Sequence, residues 1–171
     1  MVKSRKFILL FLALLLPVVL FVFLKYFGKN EFTIPVYYQN SIPVKGMLCN
    51  NSIEFPYIVP MDCPVPLQKI SVLSFEEPST ITTVQLNRIR EAFENQVNVR
   101  SVLEGNEPST VNNLYLDSVR YQVAKCNFLI EGDSSTVLVD GDRRIRGYYI
   151  DANLKDMDRL IMEVKILLGR Y

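Results

Sequence analysis

From Phe7 to Leu24 the chain runs through 18 consecutive apolar residues, and this stretch constrains everything downstream of it. A helix built from it has no polar face to turn toward water, which argues against the plainer alternative of a buried core helix. About 20 such residues cross the hydrocarbon core of a bilayer, which makes the run a candidate transmembrane helix. Pro17 lies inside it, as membrane helices tolerate. Lys3, Arg5 and Lys6 precede the run and predict a cytoplasmic N-terminus, although Lys25 and Lys29 beyond it weaken the bias. The exit sequence Val22-Phe23-Leu24-Lys25-Tyr26-Phe27 has no small-x-small cleavage site, which favours an uncleaved anchor over a signal peptide. The expected membrane partner is therefore reached through residues 7–24, with the rest of the chain outside the cytoplasm.

The remainder of the 171 residues suffices for one small domain with one modest core. A net charge of +1 gives no footprint for nucleic acid. The absence of histidine removes imidazole as base, acid or ligand. Three parts are expected: a cytoplasmic stub and anchor over 1–27, a proline-rich linker and pre-domain segment over 28–66, and an α/β domain over 67–171. Pro35, Pro43, Pro56, Pro60, Pro64 and Pro66 exclude a helix from the middle part. Ile34–Tyr38 and Ile53–Val59 are candidate edge strands there, and the first portion is expected to lift the domain off the membrane.

Beyond residue 67 strand and helix patterns alternate. Ile70–Phe75 reads as a strand and Thr82–Asn95 as a helix with Leu86, Ile89 and Phe93 on one face. Val97–Leu103 is a second strand. Val111–Cys126 reads as a second helix, with Leu116, Val119, Val123 and Cys126 at helical spacing. Thr136–Val139 and Ile145–Ile150 are strands joined by the turn Asp140-Gly141-Asp142-Arg143. A final helix carries Leu154, Met157, Ile161, Val164 and Leu168 in one stripe, with Asn153 as its cap. Ser71-Val72-Leu73 followed by Glu77-Pro78-Ser79-Thr80 recurs 30 residues later as Ser101-Val102-Leu103 followed by Glu107-Pro108-Ser109-Thr110. That echo is either a repeated βα unit, with both loops on one sheet edge, or reuse of good helix-start chemistry.

The order βαβαββα is that of a thioredoxin-like fold. Val137-Leu138-Val139-Asp140 with Arg144-Ile145-Arg146-Gly147-Tyr148-Tyr149 resembles the third and fourth strands of the Sco/SenC family. Asp158-Arg159-Leu160-Ile161 with Val164-Lys165-Ile166-Leu167-Leu168 resembles that family's last helix, and Asn87-Arg88-Ile89-Arg90-Glu91-Ala92-Phe93 its first. The resemblance covers most of residues 67–171. It implies a membrane-anchored thioredoxin fold in the bacterial periplasm, held to the inner membrane by a single N-terminal span. The family's members are copper chaperones or thiol-disulfide proteins of cytochrome oxidase assembly. Their copper site is a Cys-x-x-x-Cys after the first strand plus a distal histidine. Here that loop reads Ser74-Phe75-Glu76-Glu77-Pro78-Ser79-Thr80-Ile81-Thr82, and Gly132-Asp133-Ser134 stands where the histidine should fall. Cu(I) requires soft thiolates and thioredoxin chemistry requires a reactive thiolate, and neither is offered there. No catalytic residue, metal ligand or cofactor is therefore assigned.

The remaining candidates are few. Glu76 and Glu77 head the first helix, but adjacent residues at a strand end point opposite ways and converge poorly on a cation. Arg144 and Arg146 share one strand face by period two. These four form a candidate docking surface, against the plainer reading of solvated charge. Tyr148 and Tyr149 alternate, so one is expected to pack and the other to be exposed. Cys126 falls on the apolar face of the second helix and reads as a buried small hydrophobe. Cys49 and Cys63 flank the proline-rich segment, and pairing them would close a loop of about 15 residues, worth roughly 3 kcal/mol. A stapling disulfide between Cys49 and Cys63 is the structural expectation. The functional expectation is a non-catalytic accessory or assembly factor that docks an envelope protein. The alternative is a thiol-disulfide oxidoreductase or copper carrier using Cys49 and Cys63.

Overall fold

The computed structural model describes residues 2–27, 33–41, 54–130, 132–133 and 135–169. The chain divides into two compact units, Met1–Thr33 and Ile34–Tyr171. The first holds helix α1, Val2–Phe27, with Pro17 inside it. Its 26 residues would extend about 39 Å at the α-helical rise. Its apolar side chains from Leu10 to Leu24 lie exposed, as the sequence pattern requires of a helix with no polar face. Among the described residues no helix is long and apolar enough to cross a membrane.

The second unit is a five-stranded mixed sheet with helices on it. Its elements are β1 (Ile70–Ser74), α2 (Thr80–Phe93), β2 (Asn98–Glu104), β3 (Asn113–Leu116), α3 (Ser118–Asn127), β4 (Thr136–Asp140), β5 (Ile145–Tyr149) and α4 (Leu154–Leu167). The strand order is β3-β2-β1-β4-β5. β1 runs parallel to β2 and antiparallel to β4, and β4 and β5 form the hairpin. This is a thioredoxin-like α/β plan with one strand more than the sequence order predicts.

The extra strand corrects the second helix. Asn113–Leu116 pairs with Ser101–Glu104 of β2, and α3 begins only at Ser118, where the Asp117 carboxylate accepts the Arg120 backbone N–H. The stripe expected on that helix differs too. Val119 and Val123 are exposed, while Ala124 and Asn127 are buried. The second Glu-Pro-Ser-Thr copy accordingly leads into a strand rather than a helix. Its hydroxyls at Ser109 and Thr110 accept the backbone N–H groups of Tyr115 and Asn113, both at 3.0 Å. The first copy does open a helix, with Ser79 accepting the Thr82 N–H at 3.0 Å.

Both faces of the sheet are covered. On one, Leu73, Val102, Val137 and Val139 pack with Ala124, Phe128 and Leu129. On the other, Val72, Leu138 and Tyr149 pack with Leu86, Ile89 and Phe93 of α2 and Met157, Leu160, Ile161 and Val164 of α4. The successive β1 residues Val72 and Leu73 serve opposite faces, as the pleat dictates. Tyr148 and Tyr149 divide likewise, so both pack, one on each face, and neither stands free as expected. In α4 the stripe holds at Met157, Ile161 and Val164, whereas Leu154 is exposed.

The boundary expected between residues 66 and 67 also shifts. Ile34, Tyr57, Val59 and Val65 are buried, and the latter three belong to the first core. Residues 34–38 and 54–59 are not strands, yet they hydrogen-bond beside β5. Tyr37 N–H donates to the Ile145 carbonyl at 2.9 Å, and Val59 N–H to that of Arg143 at 3.0 Å. The proposed start of the second edge strand, Ile53, lies outside the described residues, as do residues 28–32 at the beginning of the linker expected over 28–66.

Candidate functional site

In a sheet of this order the loop after β1 is the natural place for chemistry, because strand ends and helix N-termini converge there. Ser74 ends β1 opposite Thr136, the first residue of β4. Both are fully buried, and so is Asp151 just beyond β5. The Ser74 and Thr136 hydroxyls donate to the two carboxylate oxygens of Asp151. Ser135 extends the network, donating through its hydroxyl to Glu76 at 3.0 Å and accepting the Asp151 N–H at 3.4 Å. Burial pushes the Asp151 carboxyl above its ordinary range, and the Glu76 charge adds to this. The hydroxyl donors Ser74, Thr136 and Ser135 oppose it. The end of β1 and the start of β4 thus close on one buried carboxyl in a ring of hydroxyls. The sequence did not single out Asp151.

Glu76 and Glu77 both sit at this end, Glu76 half-buried against Ser135 and Glu77 exposed. Arg144 and Arg146 lie at the other end of the sheet, beside Asp140, whose register partner on β1 is Ile70. Four residue steps along β1 separate the ends by about 13 Å. The expected docking surface of Glu76, Glu77, Arg144 and Arg146 is therefore two separate places. Arg144 and Arg146 do share a face, but they are engaged within the protein. Arg144 Nε and Arg146 Nη1 donate to the same Asp140 oxygen at 3.0 and 3.1 Å, and Arg146 Nη2 donates to the Ile34 carbonyl at 2.6 Å.

The thiols also differ from expectation. Cys63 is a free thiol and Cys126 is disulfide-bonded. The staple expected between Cys49 and Cys63 therefore does not form, and Cys126 is not a reduced core residue. Cys49 lies outside the described residues. Val65, on the chain just after Cys63, is buried in the first core, and Cys63 itself packs against that core as a half-buried side chain. Burial pushes the Cys63 thiol up. Hydrogen bonds from the Val65 backbone and the Asn127 side chain, and the nearby Arg143 charge, offset this only in part. The phenol of the neighbouring Tyr57, which donates to the Asn127 carbonyl at 2.8 Å, is pushed up to about 12, chiefly by burial. A thiol held protonated in apolar surroundings is a poor nucleophile at neutral pH. Among the described residues no group of three or more histidine, cysteine or acidic side chains could hold a metal ion.

No family model matches the chain, and no curated protein matches it. Among solved structures it is similar to the thioredoxin domain of a thiol-disulfide oxidoreductase from Bacteroides vulgatus. The TM-score is 0.44 at 15% sequence identity, over 56% of this chain and 79% of that one.

Proposed function

We propose that this is a membrane-anchored, non-catalytic accessory protein of the bacterial envelope, a Sco/SenC-like domain that works by docking another envelope protein. The observation that carries the reading is the chemistry at the head of α2. Where a thioredoxin-like fold would need a thiolate, the helix is capped by the Ser79 hydroxyl, and the space behind it is occupied by Asp151 with Ser74 and Thr136. The anchor is α1, whose sequence supplies 18 apolar residues from Phe7 to Leu24. The domain then belongs in the periplasm, and the disulfide at Cys126 accords with an oxidising compartment. The competing reading, a thiol-disulfide oxidoreductase or copper carrier using Cys49 and Cys63, has the free thiol of Cys63 in its favour. The raised thiol pKa counts against it.

The test uses the full chain in a non-ionic detergent, assayed for Cu(I) binding and for reduction of a disulfide substrate. The expected result is neither activity, with Cys63 slowly alkylated without reductant and Cys126 alkylated only after reduction. Stoichiometric Cu(I) binding, or disulfide reduction, that disappears in a folded Cys63→Ser variant would overturn the docking reading.

A further inference from the structure

β3 starts opposite Ser101, so the first three residues of β2, Asn98, Val99 and Arg100, run past its end and leave a gap in the sheet edge. A notch of about 470 Å³ opens there, lined by Gln68, Arg90, Glu94, Asn98, Arg100 and Asn112 among others. The last turn of α2 brings Arg90 to it. Arg90 Nε donates to the Val99 carbonyl at 3.2 Å and Nη1 to the Asn87 side chain at 2.8 Å, which fixes the plane of the guanidinium. Its Nη2 is buried and has no hydrogen-bond partner. The Nε of Arg100 is buried and unpartnered in the same way. Among the described residues neither arginine takes part in an ion pair, whereas Arg88, Arg120, Arg144, Arg146 and Arg159 each find an aspartate; Arg143 and Arg146 also carry a buried Nε without a partner, but neither lines the notch.

A buried guanidinium nitrogen without an acceptor is costly, and a native fold rarely leaves two of them at one notch. Arginine donors in a fixed plane match the oxygens of a carboxylate or phosphate. We propose that the Arg90–Arg100 notch binds the oxyanion of a small ligand, a carboxylate or phosphate group. The two guanidiniums supply the charge, and Gln68, Asn98 and Asn112 line the remainder. The Glu94 carboxylate on the rim tempers the positive field and sets a preference for compact anions. Burial lowers the Arg90 pKa, consistent with a cation taken from water without its counter-charge. This site is separate from the thiols, the Asp151 network and the anchor, so its fate and that of the docking reading are decided by different experiments.

The experiment is calorimetric titration of the full chain in non-ionic detergent with inorganic phosphate and, separately, with acetate, using chloride at matched ionic strength as control. One saturable site is expected for at least one of the two anions. Arg90→Gln and Arg100→Gln should each weaken it at least about tenfold, the loss of one charge-assisted hydrogen bond. Glu94→Gln should tighten it. A preference for phosphate or for acetate assigns the ligand class. Should Arg90→Gln unfold the domain, Arg100→Gln decides alone, since among the described residues the Arg100 side chain makes no hydrogen bond whose loss would matter to folding. Absence of saturable binding by both anions to the folded parent overturns the proposal, as does binding that Arg100→Gln leaves unchanged.

Discussion

The two ends of the β4–β5 hairpin each hold a buried aspartate, and the two are kept in opposite ways. Asp140, 6% exposed at the turn, is surrounded by charge-assisted donors: Arg144, Arg146, and the backbone N–H groups of Asp142 and Arg144, both at 3.0 Å. The Asp151 carboxyl, fully buried past the last strand, is met among the described residues by the hydroxyls of Ser74, Thr136 and Ser135, and a second carboxylate, Glu76, lies nearby. The turn aspartate is a charge compensated by charge, which locks geometry. Its counterpart is a carboxyl that burial drives toward its neutral form. One end of this sheet is built as a structural clasp, and the other keeps a protonatable group without a charged partner to hold it.

Removing Asp140 should break the contrast most severely. Asp140→Ala leaves Arg146, 11% exposed, without its carboxylate and strips two turn N–H groups of their acceptor. A loss of about 3–5 kcal/mol in urea unfolding is expected. Most of it should come from Arg146, since the half-exposed Arg144 is screened by solvent. A loss under about 1 kcal/mol would mean that the clasp is ornamental. Thr136→Val comes next. It removes one hydroxyl from a buried carboxylate oxygen and should cost about 1–3 kcal/mol while pushing the Asp151 pKa higher still. The smallest effect belongs to Asp151→Asn, an amide of the same shape as the neutral acid, expected within about 1 kcal/mol of the parent. Its signature is the pH profile. A raised folded pKa means that the Asp151 contribution is fully present below the ordinary carboxylate value of about 4, and is lost as pH rises through the folded value. Unfolding at pH 4 and pH 7 should therefore show the asparagine variant gaining on the parent as pH rises. An unchanging difference would show that burial does not hold the Asp151 carboxyl toward its neutral form.

The sequence disclosed one of these ends and concealed the other. Asp140-Gly141-Asp142-Arg143 carries a turn signature. The turn forms as expected, with Arg143 at φ 63° and its N–H bonded to the Asp140 carbonyl at 3.0 Å. Gly141 suits the turn, since a Cβ there would crowd the Lys69 carbonyl oxygen at 3.1 Å. Asp151 has no such mark. Its partners Ser74 and Thr136 are 77 and 15 residues away, and only the register of three strands assembles them. The same limit explains β3. Leu116 seeds a convincing helical period with Val119, but a four-residue edge strand is short enough to hide inside it. Tertiary pairing with β2 overrides the local pattern. The α2 face at Leu86, Ile89 and Phe93 was legible, being long, periodic and cleanly capped. The thiol pairing was not, because spacing along a chain does not determine which cysteines meet in space.

The pair of stretches over 34–38 and 54–59 has a practical meaning for anyone handling this protein. By occupying backbone groups of Ile145 and Arg143 along β5, it acts as a selvage, finishing the cloth of the sheet at that border. A fragment cut at residue 67, where composition alone would place the domain's start, would carry a raw border with open amides and carbonyls. Such a border templates strand addition between molecules, so that fragment should polymerise, whereas one beginning before Ile34 should stay dispersed.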